Sequence, residues 1–128
     1  MIVLAILLAW LVPAVAQGIS CGKPCNEHPK LSGPCFTVHG RMDLYNGNPS
    51  VRLWRVGTNR ILGVSEQRFA VEGYCNLPTA IREQLSWDAD LFADFVVCPF
   101  TRDEPGSMQL VCVDSATHIV VRARAVAR

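Results

Sequence analysis

Six cysteines in a chain of 128 residues constrain this fold more than any other feature, and the segment before them decides whether they pair. Residues 2–12 form an unbroken apolar run that Pro13 ends, and residues 14–16 (AVA) supply the small-x-small pattern that a signal peptidase recognises. We therefore expect a signal peptide over residues 1–16 and a secreted or periplasmic protein. In such an oxidising compartment we expect disulfides among Cys21, Cys25, Cys35, Cys75, Cys98 and Cys112.

Two other fates of this leader are less favoured. A membrane-spanning helix needs about 20 apolar residues, whereas the run over residues 2–16 is shorter and contains a proline near its end. Lipidation of Cys21 normally requires leucine where this chain has Gly18, and it would leave one of the other five cysteines without a partner. We expect no membrane association after cleavage of the leader.

The mature chain has the size of one domain and almost no net charge. Cleavage after Ala16 would leave 128 − 16 = 112 residues, which suffices for a hydrophobic core. A net charge of +1 argues against nucleic acid as a partner, so we expect a protein or glycan partner. Residues 17–34 are rich in Pro, Gly and Cys and predict an irregular arm, and residues 35–128 predict the folded domain.

Alternating apolar and polar residues predict a protein built from strands. Residues 36–44 form the longest such pattern, which places four side chains towards the core (Phe36, Val38, Met42, Leu44) and four outwards (Thr37, His39, Arg41, Asp43). Further strands are predicted over residues 50–56, 60–64, 68–72, 92–98, 108–114 and 118–123. A short helix near residues 79–86 has Thr79 as its expected cap. The prediction is an all-β fold, a small disulfide-stapled antiparallel β-sandwich of six or seven strands.

Three segments of the first hairpin resemble a known family. Residues 38–41 (VHGR), 45–49 (YNGNP) and 51–54 (VRLW) are similar to the opening of transthyretin-like and carboxypeptidase-regulatory-like β-sandwich domains. The resemblance covers about the first third of the mature domain, and it implies a sandwich fold. The C-terminal Tyr-Arg-Gly-Ser signature of the hydrolases in that superfamily is absent, so the resemblance implies no activity.

The spacing of the cysteines restricts how they pair. Cys21 and Cys25 lie in the arm and Cys35 directly at its end, and the other three lie further along the domain, so complete pairing requires at least one bridge between these two groups. If the strands over residues 92–98 and 108–114 formed a hairpin that turned near Asp103, Cys98 and Cys112 would lie about 13 Å apart, beyond the reach of a disulfide. We therefore expect them to have different partners. A zinc site is the alternative for the arm, with Cys21, Cys25, His28 and Cys35 as ligands.

Groups suited to catalysis are present but form no recognisable motif. The histidines are His28, His39 and His118, and the chain has no Gly-x-Ser-x-Gly elbow. Asp88, Asp90 and Asp94 could bind Ca²⁺ or act on a sugar, but they lack a calcium-loop spacing. We expect no catalytic residue, no metal and no cofactor, and hence no enzyme.

Arginine beside tryptophan on one hairpin is the best candidate for a binding surface. We expect Arg52, Trp54 and Arg60 to share an exposed face, a composition that interfaces and glycan sites use. The alternative places Trp54 in the core with a solvated rim of arginines. The sequence thus predicts an exported, non-catalytic binding protein. The alternatives are an inhibitor of a protease or lysozyme, which would insert the loop over residues 99–106, and an enzyme with a site assembled across strands.

Overall fold

The computed structural model describes residues 22–124, and the predicted signal peptide and Cys21 lie outside this range. A 3₁₀ turn in the arm (Cys25–Glu27) precedes the strands. The regular elements that follow are β1 (Phe36–Leu44), β2 (Val51–Arg55), β3 (Ile61–Val64), α1 (Thr79–Arg82), β4 (Ala89–Pro99) and β5 (Gln109–Ala123).

The five strands close into one barrel in the order β1-β2-β3-β5-β4. All pairs are antiparallel except β3 and β5, which run parallel through Leu62 opposite Gln109 and Gly63 opposite Leu110. The predicted all-β class is confirmed. The predicted sandwich of six or seven strands is wrong for the described chain, because its five strands lie in a single closed sheet.

Strand β1 has the bounds and the alternation that the sequence predicts. Val38 and Met42 are completely buried inside the barrel, and Thr37 and His39 are exposed outside it. Asp43 has the outward phase but is only 1 % exposed. Its expected exposure is therefore wrong, because the side chains of Arg41 and Arg124 cover it on the outer wall.

Two predicted elements in the middle of the chain differ from the structure. Residues 68–72 form turns instead of a strand, because Phe69 has a positive φ of 60° and stacks on Phe100 outside the barrel. The helix is a single turn, Thr79–Arg82, shorter than expected. Thr79 is its first residue and not its cap, and Pro78 precedes it without a side-chain cap hydrogen bond.

The last two predicted strands are one continuous strand, β5. Residues 115–117 (SAT) resemble a separator in sequence, yet they pair with β4 through Ser115 opposite Val96 and Thr117 opposite Asp94. A β-bulge follows, where His118 has a positive φ of 54°. The extra residue restores the pairing at Val120, so the strand bends here instead of ending.

The arm covers the outer wall of the barrel and is attached by disulfides. Cys25 is bonded to Cys112 and Cys35 to Cys98, so both bridges join the arm to the domain. Cys75 is disulfide-bonded as well, and no free cysteine occurs within residues 22–124. Because Cys25 and Cys35 are oxidised, the zinc alternative for the arm fails.

Cys98 and Cys112 have different partners, as predicted, but the expected reason is wrong. They lie directly opposite each other on β4 and β5 instead of about 13 Å apart. Around them the arm and the barrel wall enclose a second small core that includes Phe100 and Leu110. The disulfides therefore cross this outer core and leave the barrel interior to aliphatic side chains and Phe95.

Within residues 22–124, no helix is long and apolar enough to cross a membrane.

Candidate partner-binding surface

The outer face of β2 carries two of the three predicted binding residues. Arg52 and Trp54 point outwards and are half-buried, while Leu53 between them is fully buried. The neighbours of Trp54 across the sheet are Arg41 on β1 and Ile61 on β3. Trp54 therefore lies on the outside of the barrel, and the alternative that placed it in the core is wrong.

The indole of Trp54 is held in a fixed orientation. Its Nε1 donates a hydrogen bond of 2.7 Å to the carbonyl of Thr58 in the β2–β3 turn. The guanidinium of Arg41 lies over the ring, 4.7 Å from its centroid. Because both contacts are already made, the ring loses little conformational freedom when a partner packs against it.

Arg52 is ordered in a similar way at the other end of β2. Its Nε donates to the carbonyl of Pro49 at 3.1 Å, and its guanidinium lies 5.0 Å from the ring centroid of Tyr45. Gly47 has a φ of 122°, and a Cβ there would stand 3.2 Å from the Arg52 guanidinium. Glycine thus gives both the turn and the room for this arginine.

Arg60 lies beyond this face, in the turn between β2 and β3. Its side chain forms an ion pair with Asp103 and donates a hydrogen bond of 3.4 Å to the carbonyl of Glu104. Both acceptors belong to the β4–β5 loop (residues 100–108). The third predicted binding residue therefore joins the β2–β3 hairpin to the loop that the inhibitor alternative selects.

The β4–β5 loop is anchored at its base and exposed at its tip. Phe100 is buried in the outer core, and Thr101 bonds to β5 through both its backbone N–H and its hydroxyl. Residues 102–107 are exposed. Gly106 adopts a φ of 80°, and a Cβ added there would meet no atom within 4 Å. This segment therefore protrudes from a fixed base.

Two histidines and one aspartate meet on the outside of the barrel, a contact that the sequence did not predict. The Nδ1 atoms of His39 and His118 lie 2.9 and 3.0 Å from the two carboxylate oxygens of Asp94. These hydrogen bonds lower the pKa of Asp94. The side chains of His39 and His118 are 67 % and 83 % exposed, so the cluster lies on open surface and not in a cleft.

A buried charge cluster is the second contact that the sequence missed. Arg124 reaches Asp43 at 3.1 Å and Asp90 at 3.3 Å, while Arg41 lies 2.7 Å from Asp43. Burial, together with the adjacent Asp90, raises the pKa of Asp43. Asp88, Asp90 and Asp94 thus have separate surroundings and form no common site. Only the pairing of β1, β4 and β5 brings the members of the cluster together.

A cavity of about 530 Å³ opens at one end of the barrel. Leu44, Val64 and Leu85 give it apolar walls, and the β1–β2 turn gives it a polar rim. Glu66 and Arg82, which form an ion pair, also line it. None of the predicted binding residues lines the cavity. Hydrophobic patterning places its apolar residues in strands and in a short helix, and it gives no sign of a cavity.

Within residues 22–124, no group of three or more His, Cys, Asp or Glu side chains is placed so that it could hold a metal ion. In comparisons with protein-family models, with curated proteins and with solved structures, the chain matches none of them. The resemblance to transthyretin-like domains therefore stays a prediction.

Proposed function

We propose that this chain is an exported, non-catalytic binding protein. Its recognition surface combines the outer face of β2 with the β4–β5 loop. The observation that carries the proposal is the bonding of Arg60 to Asp103 and to the carbonyl of Glu104, because it makes one continuous surface from two segments distant in sequence. Export is supported by the leader and by the oxidised cysteines of the arm.

The composition and rigidity of this surface support the proposal. Arginine and tryptophan contribute most to the energies of many interfaces. Here Arg52 and Trp54 are held by hydrogen bonds and ring contacts, so their ordering cost is partly met before binding. The strand order, with β3 parallel to β5, is similar to that of the OB-fold, whose β2–β3 face and β1–β2 and β4–β5 loops bind ligands. That similarity concerns strand order and strand direction, and it indicates where a ligand would bind on such a barrel.

The inhibitor of a hydrolase is the second candidate, and the anchored loop favours it. A loop that inserts into an active site must keep its shape, and this one starts and ends beside the bridged residues Cys98 and Cys112. The enzyme alternative has less support. His39 and His118 bond to Asp94, and neither bonds to a hydroxyl or thiol nucleophile among the described residues.

A binding panel tests the proposal. The immobilised protein is exposed in biolayer interferometry to trypsin, chymotrypsin, a papain-like cysteine protease, lysozyme and heparin. We expect at least one member to bind, and we expect Arg60→Ala and Trp54→Ala to weaken that binding by tenfold or more at unchanged circular dichroism. Arg122→Ala, on the exposed end of β5, is the matched control.

Two results would contradict the proposal. One is that no panel member binds the parent protein. The other is that a member binds but the Arg60, Trp54 and control variants weaken binding equally. Hydrolysis of ester, glycoside or peptide substrates by the purified protein, at a rate that follows its concentration, would restore the enzyme alternative.

A further inference from the structure

One arginine at the tip of the β4–β5 loop is free, while the residues on both sides of it are held. Arg102 is exposed, and its side chain makes no hydrogen bond, ion pair or ring contact with any residue of the described chain. The base of the loop is fixed by the disulfides at Cys98 and Cys112, which are cross-strand neighbours. The Arg102 guanidinium is thus exposed on a loop whose base is fixed.

The residue before Arg102 is bonded through three of its atoms. The Thr101 hydroxyl accepts from the backbone N–H of Leu110 at 2.8 Å, and its own N–H donates to the carbonyl of Leu110 at 3.3 Å. The Thr101 carbonyl accepts from Nε2 of Gln109 at 3.1 Å. The backbone that leads into Arg102 is therefore held by hydrogen bonds to the first two residues of β5.

The residues after Arg102 are held from the other side by the β2–β3 turn. Arg60 forms an ion pair with the carboxylate of Asp103 and donates to the carbonyl of Glu104. This contact also occupies the carboxylate of Asp103, the residue that follows Arg102 in the chain. Arg60 therefore orders the loop and leaves the guanidinium of Arg102 available.

We propose that this loop inserts Arg102 into the acidic specificity pocket of a trypsin-like serine protease and blocks its active site. The proposal rests on the inhibitor form of the proposed function. Such a pocket selects arginine because an aspartate lies at its base, and a guanidinium matches a carboxylate with two parallel hydrogen bonds. Chymotrypsin-like and elastase-like pockets lack this charge and would reject Arg102.

The same frame explains why the loop would act as an inhibitor and not as a substrate. A flexible peptide loses conformational entropy when it enters an active site, whereas a loop already in one shape loses little. If the peptide bond between Arg102 and Asp103 were cut, Thr101 would stay bonded to β5 and Asp103 to Arg60. The two new ends would remain together, so the cut loop would still fill the site.

Titration of trypsin with the protein, followed with a chromogenic substrate, tests this inference. We expect stoichiometric inhibition by the parent protein and loss of about 100-fold or more in affinity for Arg102→Ala, because the pocket carboxylate loses its partner. Arg102→Lys should retain affinity within about tenfold. Arg102→Leu should no longer inhibit trypsin and should instead inhibit chymotrypsin, whose pocket is hydrophobic.

Two further variants separate the free side chain from its frame. Arg60→Ala keeps Arg102 but loosens the loop, so we expect about tenfold weaker inhibition and faster cleavage after Arg102. Arg122→Ala removes an exposed arginine from the opposite end of β5 and should inhibit as well as the parent protein. Circular dichroism of each variant shows whether it folds.

The inference is overturned if the parent protein does not inhibit trypsin, if it is degraded at Arg102 as an ordinary substrate, or if Arg102→Ala inhibits as strongly as the parent. These failures are distinguishable from failure of the proposed function. Binding of another panel member that Arg60→Ala weakens would retain the proposed function and remove only the protease assignment. Absence of binding to every member would remove both.

Discussion

Replacement of Met42 by alanine should destabilise the protein strongly, because this side chain fills the middle of the barrel. Met42 is 0 % exposed. It lies on β1 between Leu53 of β2 and Leu91 of β4, so the sheet is hydrogen-bonded on both sides of it. Three heavy atoms are removed, and at about 0.8 kcal/mol each the lost transfer free energy is about 2.4 kcal/mol.

The closed sheet adds a cavity cost to this loss. An open sheet could move inwards to fill the space, but β1 cannot shift without breaking its hydrogen bonds to β2 and β4. We therefore expect about 3–4 kcal/mol, in the middle of the range for truncations of core methionine. Thr37→Ala, on the exposed face of the same strand, should cost no more than about 1 kcal/mol.

Urea unfolding with intact disulfides, followed by tryptophan fluorescence, measures both free energies of unfolding. The m-value should stay constant, so that the shift in midpoint reports stability alone. A cost below about 1 kcal/mol for Met42→Ala, with a larger cost for Thr37→Ala, would refute the orientation of β1. A slip of one residue exchanges the two faces of a strand, so no intermediate result is expected.

Three other properties of the chain can be tested directly. Burial raises the pKa of Asp43, so its contribution to stability is present below about pH 4 and is lost as the pH rises through its folded pKa. Because asparagine does not ionise, Asp43→Asn should become more stable relative to the parent protein as the pH rises. Urea midpoints of both proteins from pH 4 to 7 measure this difference. Burial lowers the pKa of His28, which packs between Tyr74 and Phe100, so its contribution is lost as the pH falls below about 6.5 through the folded pKa. His28→Phe should remove this dependence, and an unchanged pH profile would contradict the burial of the imidazole. Denatured but unreduced protein should contain no thiol that reacts with Ellman's reagent, and one thiol or more per chain would contradict complete pairing.

Local patterning predicted the strands well where one face of the sheet is buried. Residues 36–44 alternate over nine positions, and β1 has these bounds. The same reasoning failed at residues 68–72, because Phe69 packs outside the barrel against Phe100, a contact that periodicity cannot distinguish from a strand in the core. The same reasoning predicted two strands where β5 is continuous, because a bulge and a turn use similar residues.

Contacts between distant segments account for most of what the sequence could not predict about the candidate site. Arg52 and Trp54 belong to one strand, so alternation alone placed them on one face. Arg60 and Asp103 are 43 residues apart, and nothing local in either segment indicates their ion pair. The parity of the cysteines required a bridge between arm and domain, but parity could not locate that bridge beneath the β4–β5 loop.

The position of the disulfides connects stability to the proposed recognition surface. Bridges that close long loops stabilise mainly by restricting the unfolded chain, by about 2–4 kcal/mol each, and the separations here are 87 and 63 residues. Bridges elsewhere in the barrel would restrict the unfolded chain in a similar way. Only bridges at Cys98 and Cys112, which face each other where β4 and β5 enter the loop, also fix its base. Arg60 fixes the far side of the same loop. Constraints on both sides of the loop therefore meet at the segment that carries Arg102, and this arrangement favours recognition by the loop over a purely structural role for the bridges.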